Sequence, residues 1–208
     1  LEDLILPPAV RELSRLQNGL VLITGPTGSG KTTTMAAMIH EINRTSARHV
    51  ITLEDPVEFI HRRIQAAITQ REVGRDVESF TTGLRSALRE APDVLMVGEL
   101  RDPETVVLAL QAAETGVLVL GTLHTRSAAG APDRVLDSVP EGSRDQARSV
   151  LSVLLRGVIA QRLCRRAWGE GRIAALEILM QSHAVSSMIR EGKAHQLYLR
   201  GFDALHGA

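Results

Sequence analysis

The sequence is poor in cysteine, aromatic residues and lysine, and it has no long apolar run. Its single cysteine, Cys164, excludes a disulfide framework and a cysteine-based zinc site, and it fits a reducing compartment. The five aromatic residues are too scattered for a surface that stacks nucleic-acid bases. No apolar stretch approaches the ~20 residues of a membrane-spanning helix, and no pattern is typical of a signal peptide or lipidation. We therefore expect a cytoplasmic protein without a transmembrane segment.

Net charge is also lacking. The 24 Lys and Arg residues balance 24 Asp and Glu residues, so the formal net charge at pH 7 is zero. Because no basic excess draws the chain onto phosphates, we expect no direct nucleic-acid partner. The hydrophobic content of 44% excludes disorder as the main state. A chain of 208 residues suffices for one domain, or for one domain with a small appendage.

Short apolar runs alternate with amphipathic segments along the first part of the chain. The runs predict buried strands at residues 19–24, 50–53, 94–97 and 117–121. Helices are predicted at residues 31–43, at 79–89 with Ser79 as N-cap, and from Asp102 to Gly116. Continuous apolar strands joined by helices are typical of a mostly parallel sheet covered on both faces. The predicted fold class is therefore α/β.

The pattern changes after His124. Helices are predicted at residues 128–137, 143–159 and 184–190, interrupted by a hairpin at 161–165 and 172–179. Another short hairpin is predicted within the polar residues 59–79. We therefore expect an α/β core over residues 19–125 and a mostly helical C-terminal subdomain over residues 126–208.

A complete phosphate-binding motif lies between the first predicted strand and the helix after it. Its residues read GPTGSGKT, from Gly25 to Thr32. Glycines let the backbone N–H groups wrap around phosphate, and the helix N-terminus favours the same anion. In such motifs the lysine contacts the β- and γ-phosphates and the hydroxyl residue binds Mg²⁺. The predicted nucleotide-binding residues are Gly25, Thr27, Gly28, Ser29, Gly30, Lys31, Thr32 and Thr33.

Acidic residues follow two of the other predicted strands. Glu99 comes after the apolar run LMVG, in a strand that we expect beside the phosphate-loop strand. Glu54 and Glu58 lie on a sharp turn that reads EDPVE, where clustered carboxylates suit a metal ion or a water molecule. Thr32, Glu99 and Glu54 are therefore the predicted Mg²⁺ ligands. Taken alone, the turn also fits a solvated acidic turn.

His124 ends the fourth predicted strand at the same edge of the sheet. At that position its imidazole could contact the γ-phosphate. A lone histidine at a strand end also fits a purely structural role, and the sequence leaves both readings open.

These four elements, in this order, resemble the secretion and type IV pilus traffic ATPases, most closely the pilus retraction branch. The motifs that carry the resemblance are GPTGSGKTTT, TLEDPVEF, VLMVGELRD and GTLHT, which match the Walker A motif, the Asp box, the Walker B motif and the His box. QREVGRD and LRSALREAPD match further stretches of that branch. The resemblance covers nearly the whole chain and implies a RecA-like P-loop NTPase core.

The resemblance also implies roles for individual residues. Lys31 and Thr32 would bind phosphate and Mg²⁺, Glu99 would be the Walker B acid, and Glu58 would activate the attacking water. His124 matches a His-box position, whereas Val117 replaces the family's first His-box histidine. Arginines at several positions are candidates to stabilise the transferring phosphate: Arg71, Arg75, Arg85, Arg89 and Arg101.

Assembly and partners are implied by the same resemblance. The family works as hexamers that hold ATP between subunits, at the cytoplasmic side of the inner membrane, where a pilus platform protein is the partner. Its members carry an N-terminal PAS-like domain, and residues 1–18 resemble the linker that leads out of it. The expected activity is Mg²⁺-dependent hydrolysis of ATP.

The small numbers of lysine and cysteine residues exclude some other functions. Lys31 and Lys193 are the two lysines, and neither lies in the N-K-x-D motif that a GTPase requires. One cysteine excludes the four-cysteine zinc insertion common in assembly-type ATPases. A DNA-translocating ATPase, another secretion ATPase and a nucleotide-binding chain that does not hydrolyse ATP remain alternatives.

Overall fold

The computed structural model describes residues 7–167 and 170–199 of the chain. The strands are β1 (Gly19–Thr24), β2 (His49–Glu54), β3 (Ala67–Glu72), β4 (Val94–Val97), β5 (Leu118–Leu123), β6 (Leu155–Arg165) and β7 (Arg172–Met180). The α-helices are α1 (Pro8–Ser14), α2 (Lys31–Thr45), α3 (Phe80–Ala87), α4 (Pro103–Glu114), α5 (Ala131–Asp137), α6 (Arg144–Leu154) and α7 (His183–Arg190). Short 3₁₀ turns lie at Leu88–Glu90, Glu141–Ser143 and Ala194–Leu199.

Within the described residues, seven strands form one sheet in the order β3-β2-β4-β5-β1-β6-β7. Strands β1 to β6 pair in parallel, and β7 pairs antiparallel with β6. This confirms the predicted α/β fold with a mostly parallel sheet. A parallel sheet places the carboxyl ends of its strands at one edge, which is where open α/β folds bind their ligands.

The central strands are apolar throughout because both faces of the sheet are covered. In β1, Leu20 and Leu22 join a core shared with α3, α4 and α6, whereas Val21 and Ile23 join the core beneath α1 and α2. All six residues of β1 are buried. Alternating side chains of one strand therefore fill two separate cores, as the two-residue period of a strand requires.

The predicted helix ends are confirmed where a polar cap marks them. The Ser79 hydroxyl accepts a hydrogen bond from the Thr82 N–H at 3.1 Å and begins α3. The Asp102 carboxylate accepts from the Thr105 N–H at 2.9 Å and begins α4. Side-chain caps of this kind satisfy backbone donors that the first helical turn leaves free.

Two segments differ from the prediction. The helix predicted at residues 143–159 ends at Leu154, and Leu155 begins β6, which pairs with β1. The hairpin predicted within residues 59–79 is absent from these described residues, and β3 pairs instead with β2, in parallel. Both predictions were wrong because a short apolar or polar run does not reveal which distant strand it will meet.

The sheet continues past residue 125, because β6 and β7 join it after α5 and α6. The division at that residue into a core and a C-terminal subdomain stays a prediction.

Helix α1, within the predicted linker 1–18, packs against α2 and β6 with Val10 and Leu13 fully buried. Residues 1–6 and 200–208 of the predicted segments lie outside the described residues. No helix in the described part of the chain is both long and apolar enough to cross a membrane.

Candidate active site

A cavity of about 530 Å³ lies at the carboxyl edge of the sheet. Residues that follow β1, β2, β4 and β5 line it, together with the start of α2 and part of the β6–β7 hairpin. The predicted site residues among its lining are Thr27, Gly28, Gly30, Lys31, Thr32, Thr33, Glu54, Glu58, Glu99 and His124. The fold therefore brings together ten side chains or backbone positions that the sequence places in four separate motifs.

The phosphate loop connects β1 to α2. Gly30 is the N-cap of α2 with φ of +86°, in the left-handed region that glycine adopts without strain. The Lys31 ammonium group donates to the backbone oxygens of Gly25 at 2.9 Å and Pro26 at 3.1 Å. It is thereby held at the mouth of the loop, beside the N-terminus of α2, where an anion is favoured.

The surroundings of Lys31 also shift its pKa. Burial lowers the pKa of Lys31, and the nearby Glu99 carboxylate opposes that shift. The net direction is downward because removing water disfavours the charged form. The Lys31 ammonium group and the Glu99 carboxylate therefore attract each other across the cavity.

A buried glutamine from β6 supports the phosphate loop from below. Gln161 Nε2 donates to the Ser29 backbone oxygen at 2.7 Å, and Gln161 Oε1 accepts from the Thr34 hydroxyl at 2.7 Å. The approach is so close that a Cβ on Gly25 would lie 2.3 Å from the Gln161 backbone oxygen. These contacts explain why the loop needs glycine at residue 25. Sequence reasoning missed Gln161 because no local pattern reveals that β6 lies beside β1.

Glu99 reaches the cavity by a different route from the one predicted. Strand β4 does not lie beside β1, because β5 is inserted between them. Glu99 Oε1 lies 3.1 Å from Nε2 of His124, which follows β5. Both side chains are partly exposed. Strand β5 therefore separates β4 from the strand that leads into the phosphate loop, and the residue that follows β5, His124, pairs with Glu99.

The Asp-box acids differ strongly in exposure. Glu54 is buried, and its Oε1 accepts from the Thr52 hydroxyl at 2.6 Å and from Gln70 Nε2 at 3.0 Å. Glu58 is exposed and lies on the loop that follows β2. Both line the cavity. Glu54 thus has one oxygen already engaged, whereas Glu58 faces water.

Two predicted nucleotide-binding residues are not among the cavity lining. Gly25 contributes a carbonyl to Lys31. Ser29 is buried, and its Oγ has no hydrogen-bond partner among the described residues. Both belong to the loop and take part in its hydrogen bonds through their backbone oxygens, Gly25 with Lys31 and Ser29 with Gln161.

The predicted arginines lie outside the cavity lining. Arg85 forms an ion pair with Glu104, Arg71 with Glu90 at 2.8 Å, and Arg75 with Asp76 at 3.0 Å. Arg89 and Arg101 are exposed. The arginine that does line the cavity is Arg172 of β7, near Leu163 of β6. Neither was predicted, because the hairpin reaches the site only through its pairing with β1.

The residues fit Mg²⁺ only together with a phosphate ligand. No group of three or more His, Cys, Asp or Glu side chains that could hold a metal ion is found in the described part of the chain. Mg²⁺ usually binds one or two carboxylates plus substrate phosphates, not a cage of protein ligands. The Thr32 hydroxyl and the carboxylates of Glu99 and Glu54 line the same cavity and are oxygen donors of the right kind.

The family model for type II/IV secretion system proteins matches residues 8–196. The chain belongs to this family. The resemblance drawn from the four motifs is thereby confirmed.

Two relatives and one solved structure show which members of the family this chain is similar to. A twitching motility protein of Neisseria gonorrhoeae is 51% identical over 197 residues, which are 95% of this chain and 53% of that protein. The type IV pilus retraction ATPase PilT of Pseudomonas aeruginosa is 50% identical over 198 residues, or 95% of this chain and 57% of that protein. A crystal structure of the pilus retraction motor PilT with bound ADP superposes with a TM-score of 0.91 at 49% identity, covering 96% of this chain and 58% of that one. The chain thus spans between half and two thirds of the length of these relatives.

Proposed function

We propose that this chain is the ATP-hydrolysing motor part of a type IV pilus retraction ATPase. The observation that carries the proposal is the convergence of a phosphate loop and acids from two other strands on one cavity. Phosphoryl transfer needs positioning and charge stabilisation more than covalent chemistry, and this set supplies both. The relative whose crystal structure holds ADP supports a nucleotide as the ligand of this chain.

Each residue has a role that its position supports. The backbone of the loop and Lys31 hold the phosphates, and Glu58, exposed at the cavity, accepts a proton from the attacking water. Glu99, paired with His124, orients that water or the metal. Thr32, Glu99 and Glu54 would hold Mg²⁺. When bound, the ion would stabilise the negative charge that develops on the transferring phosphoryl group.

The two ends of the cavity differ in chemistry. The carboxylates lie on the β2, β4 and β5 side of the phosphate loop, and the hairpin residues Leu163 and Arg172 lie on the β6 side. A terminal phosphate with its metal belongs at the acidic end. The nucleoside therefore extends toward Leu163 and Arg172, where an apolar side chain and a guanidinium group suit a base.

The position of the arginines supports assembly. None of the five predicted arginines is among the cavity lining of a single chain, although several are exposed. An arginine supplied by a neighbouring subunit can raise the rate of phosphoryl transfer by about 10³–10⁵. A hexamer with shared sites, acting on a platform protein at the cytoplasmic side of the inner membrane, is the assembly that the family likeness favours.

The experiment measures phosphate release from ATP in three variants. Lys31→Ala should abolish hydrolysis, and Glu58→Gln should keep nucleotide binding while lowering the rate by about 10²–10⁴-fold. Lys193→Ala is the matched control, because this exposed lysine pairs with Glu191 at 2.7 Å and is not among the cavity lining. Near-normal hydrolysis in Lys31→Ala would disprove the assignment of the site.

The same arginine geometry favours one alternative, a chain that binds nucleotide without turning it over. Turnover per subunit distinguishes the two when it is measured at several protein concentrations with and without Mg²⁺. A shared site predicts a rate that rises with concentration. Nucleotide binding with no turnover at any concentration supports the alternative.

A further inference from the structure

We propose that Gln70 and Glu72 of β3 are positioning residues for Glu58. They hold the backbone on both sides of Glu58 by side-chain hydrogen bonds from the neighbouring strand, without being part of the cavity lining. This inference rests on the proposed function, since it assumes that Glu58 acts on the attacking water.

The loop that carries Glu58 lies within the described residues and contains no helix or strand. It covers the 12 residues between β2 and β3, and Glu58 and Ile60 are exposed. Its far end is tied to α2, because Asn43 Oδ1 accepts from the Ile64 N–H at 3.0 Å and Asn43 Nδ2 donates to the Arg62 oxygen at 2.8 Å. Its near end, which contains Glu58, needs a separate anchor.

Gln70 provides the first part of that anchor. Its Nε2 donates to the Phe59 oxygen at 2.8 Å and to Glu54 Oε1 at 3.0 Å, so both amide hydrogens are used. Its Oε1 accepts from the His61 N–H at 2.9 Å. One side chain thus joins the end of β2 to Phe59 and His61, the first and third residues after Glu58.

The packing at His61 agrees with a fixed loop. Burial, together with the charge of nearby His40, lowers the pKa of His61 to about 4. The ring is therefore neutral at physiological pH and partly buried against the protein.

Glu72 provides the second part from the other side of Glu58. Its Oε2 accepts from the Val57 N–H at 3.0 Å, one residue before Glu58. Gln70 and Glu72 are two apart on β3, so both side chains project on the same side of the strand. Pairing of Glu54 with Glu72 in the parallel register brings them alongside the loop.

The consequence is a separation between binding and rate. Among the described residues, neither side chain hydrogen-bonds to the phosphate loop, so their loss should leave the affinity for ADP without Mg²⁺ intact. A misplacement of about 1 Å in a catalytic group can cost on the order of 10²-fold in rate. We therefore expect Gln70→Ala to lower kcat by roughly that factor with KM little changed, and Glu72→Ala to do the same to a smaller extent.

The experiment compares kcat and KM for ATP in the full-length protein and in six variants: Glu58→Gln, Gln70→Ala, Gln70→Glu, Glu72→Ala, Glu72→Gln and the control Gln65→Ala. Gln70→Glu keeps the size and the acceptor oxygen but cannot donate, so it should lose rate as Gln70→Ala does. Glu72→Gln keeps an acceptor for the Val57 N–H and should recover part of the rate that Glu72→Ala loses. Gln65→Ala is the matched control, because Gln65 lies in the same loop but donates to Arg44 oxygen at 2.6 Å, away from Glu58.

Each outcome has a separate meaning. If the wild-type protein hydrolyses ATP and Glu58→Gln does not, the proposed function is supported. If that loss of hydrolysis is not seen, both the proposed function and this inference are overturned. If Glu58→Gln is inactive but Gln70→Ala and Glu72→Ala turn over like wild type, only the positioning role fails. A loss of ADP affinity or of cooperative unfolding in Gln70→Ala, shared by Gln65→Ala, would assign Gln70 to general stability instead.

Discussion

The cavity is bordered by two loops that are held in place by different means. The phosphate loop after β1 takes its shape from backbone conformation, with Gly25, Gly28 and Gly30 all at positive φ. The acidic loop after β2 has no glycine over residues 55–66, and side chains from β3 hold its near end. In both cases a glutamine of the adjacent strand hydrogen-bonds to the loop: Gln161 of β6 to Ser29, and Gln70 of β3 to Phe59 and His61.

The difference follows from what each loop must do. A loop that wraps phosphate presents backbone N–H groups, so its backbone must approach the ligand closely and side chains would obstruct it. A loop that presents a carboxylate needs only one side chain in place, and hydrogen bonds to its neighbours suffice. Changes at glycine should therefore damage the first loop, and changes at the anchoring side chains should damage the second.

The largest expected effect is at Gly25. Gly25→Ala places a methyl group 2.3 Å from the Gln161 backbone oxygen, which cannot move aside as a side chain can. We expect loss of nucleotide binding and a stability loss of about 1–3 kcal/mol from the forced contact, with a further ~1–3 kcal/mol from the backbone conformation. Nucleotide titration and urea unfolding measure the two effects.

Gly28→Ala is the matched control for Gly25→Ala. Gly28 also has positive φ, +75°, but nothing lies within 4 Å of a Cβ placed there. Only the backbone penalty of about 1–2 kcal/mol should remain. Equal losses in both variants would contradict the view that packing against β6 shapes the loop.

A smaller effect separates the two glutamines. Gln161→Leu removes the support beneath Ser29 and leaves the buried Thr34 hydroxyl without its partner, at a cost of about 1–3 kcal/mol. Because the phosphate loop loses its support, we expect nucleotide binding to weaken about tenfold, or roughly 1.4 kcal/mol. Gln70→Ala should instead lower kcat and spare binding.

The control for this pair is Gln181→Ala, an exposed glutamine just after β7 whose contact with Ser186 is long, at 3.5 Å. Binding isotherms and steady-state rates on the three variants test the contrast. The comparison of the loops breaks down if Gln161→Leu changes kcat alone or Gln70→Ala changes affinity alone.

The smallest expected effect lies away from both loops and sets a baseline. Glu41 of α2 is buried and accepts from Arg15 at 2.9 Å and Arg44 at 3.0 Å. Burial alone would raise the pKa of Glu41, but the hydrogen bonds from Arg44 and Arg15 outweigh it, and the pKa is lowered from its ordinary value of 4.5. A lowered folded pKa contributes stability above pH 4.5 that is lost as pH falls through the folded value.

Glu41→Gln should therefore flatten the dependence of unfolding free energy on pH below about 4.5 without changing ATP turnover at neutral pH. Urea unfolding between acidic and neutral pH checks the first part, and phosphate release checks the second. A variant with an unchanged acid profile would show that the pair with Arg15 and Arg44 contributes nothing to stability.

The parts predicted well from the sequence are those with local causes. Residues 19–24 and 94–97 match β1 and β4 in full, because continuous apolar runs bounded by polar residues mark buried strands. Ser79 and Asp102 cap their helices as predicted, since a cap depends on residues three positions apart. The roles of the ten site residues in the cavity lining stay predictions until the variants are measured.

The parts predicted poorly depend on strand neighbours. Leu155 to Ile159 read as the end of a helix and form β6 instead, buried against β1. The position of β5 between β4 and β1 was likewise not foreseen, and it decides that His124 meets Glu99. Burial against a distant strand outweighs the local preference of a short segment, so no window of sequence reports it.

The sequence by itself determined the phosphate loop, the acids at strand ends and the family, because each depends on residue types at short, fixed spacings. Only the tertiary structure decided what supports them. The order of the sheet brings Gln161, Leu163 and Arg172 to the phosphate loop and brings Gln70 and Glu72 to Glu58. Strand order is set by the packing of the whole chain on two cores, and that energy is shared among residues far apart in the sequence.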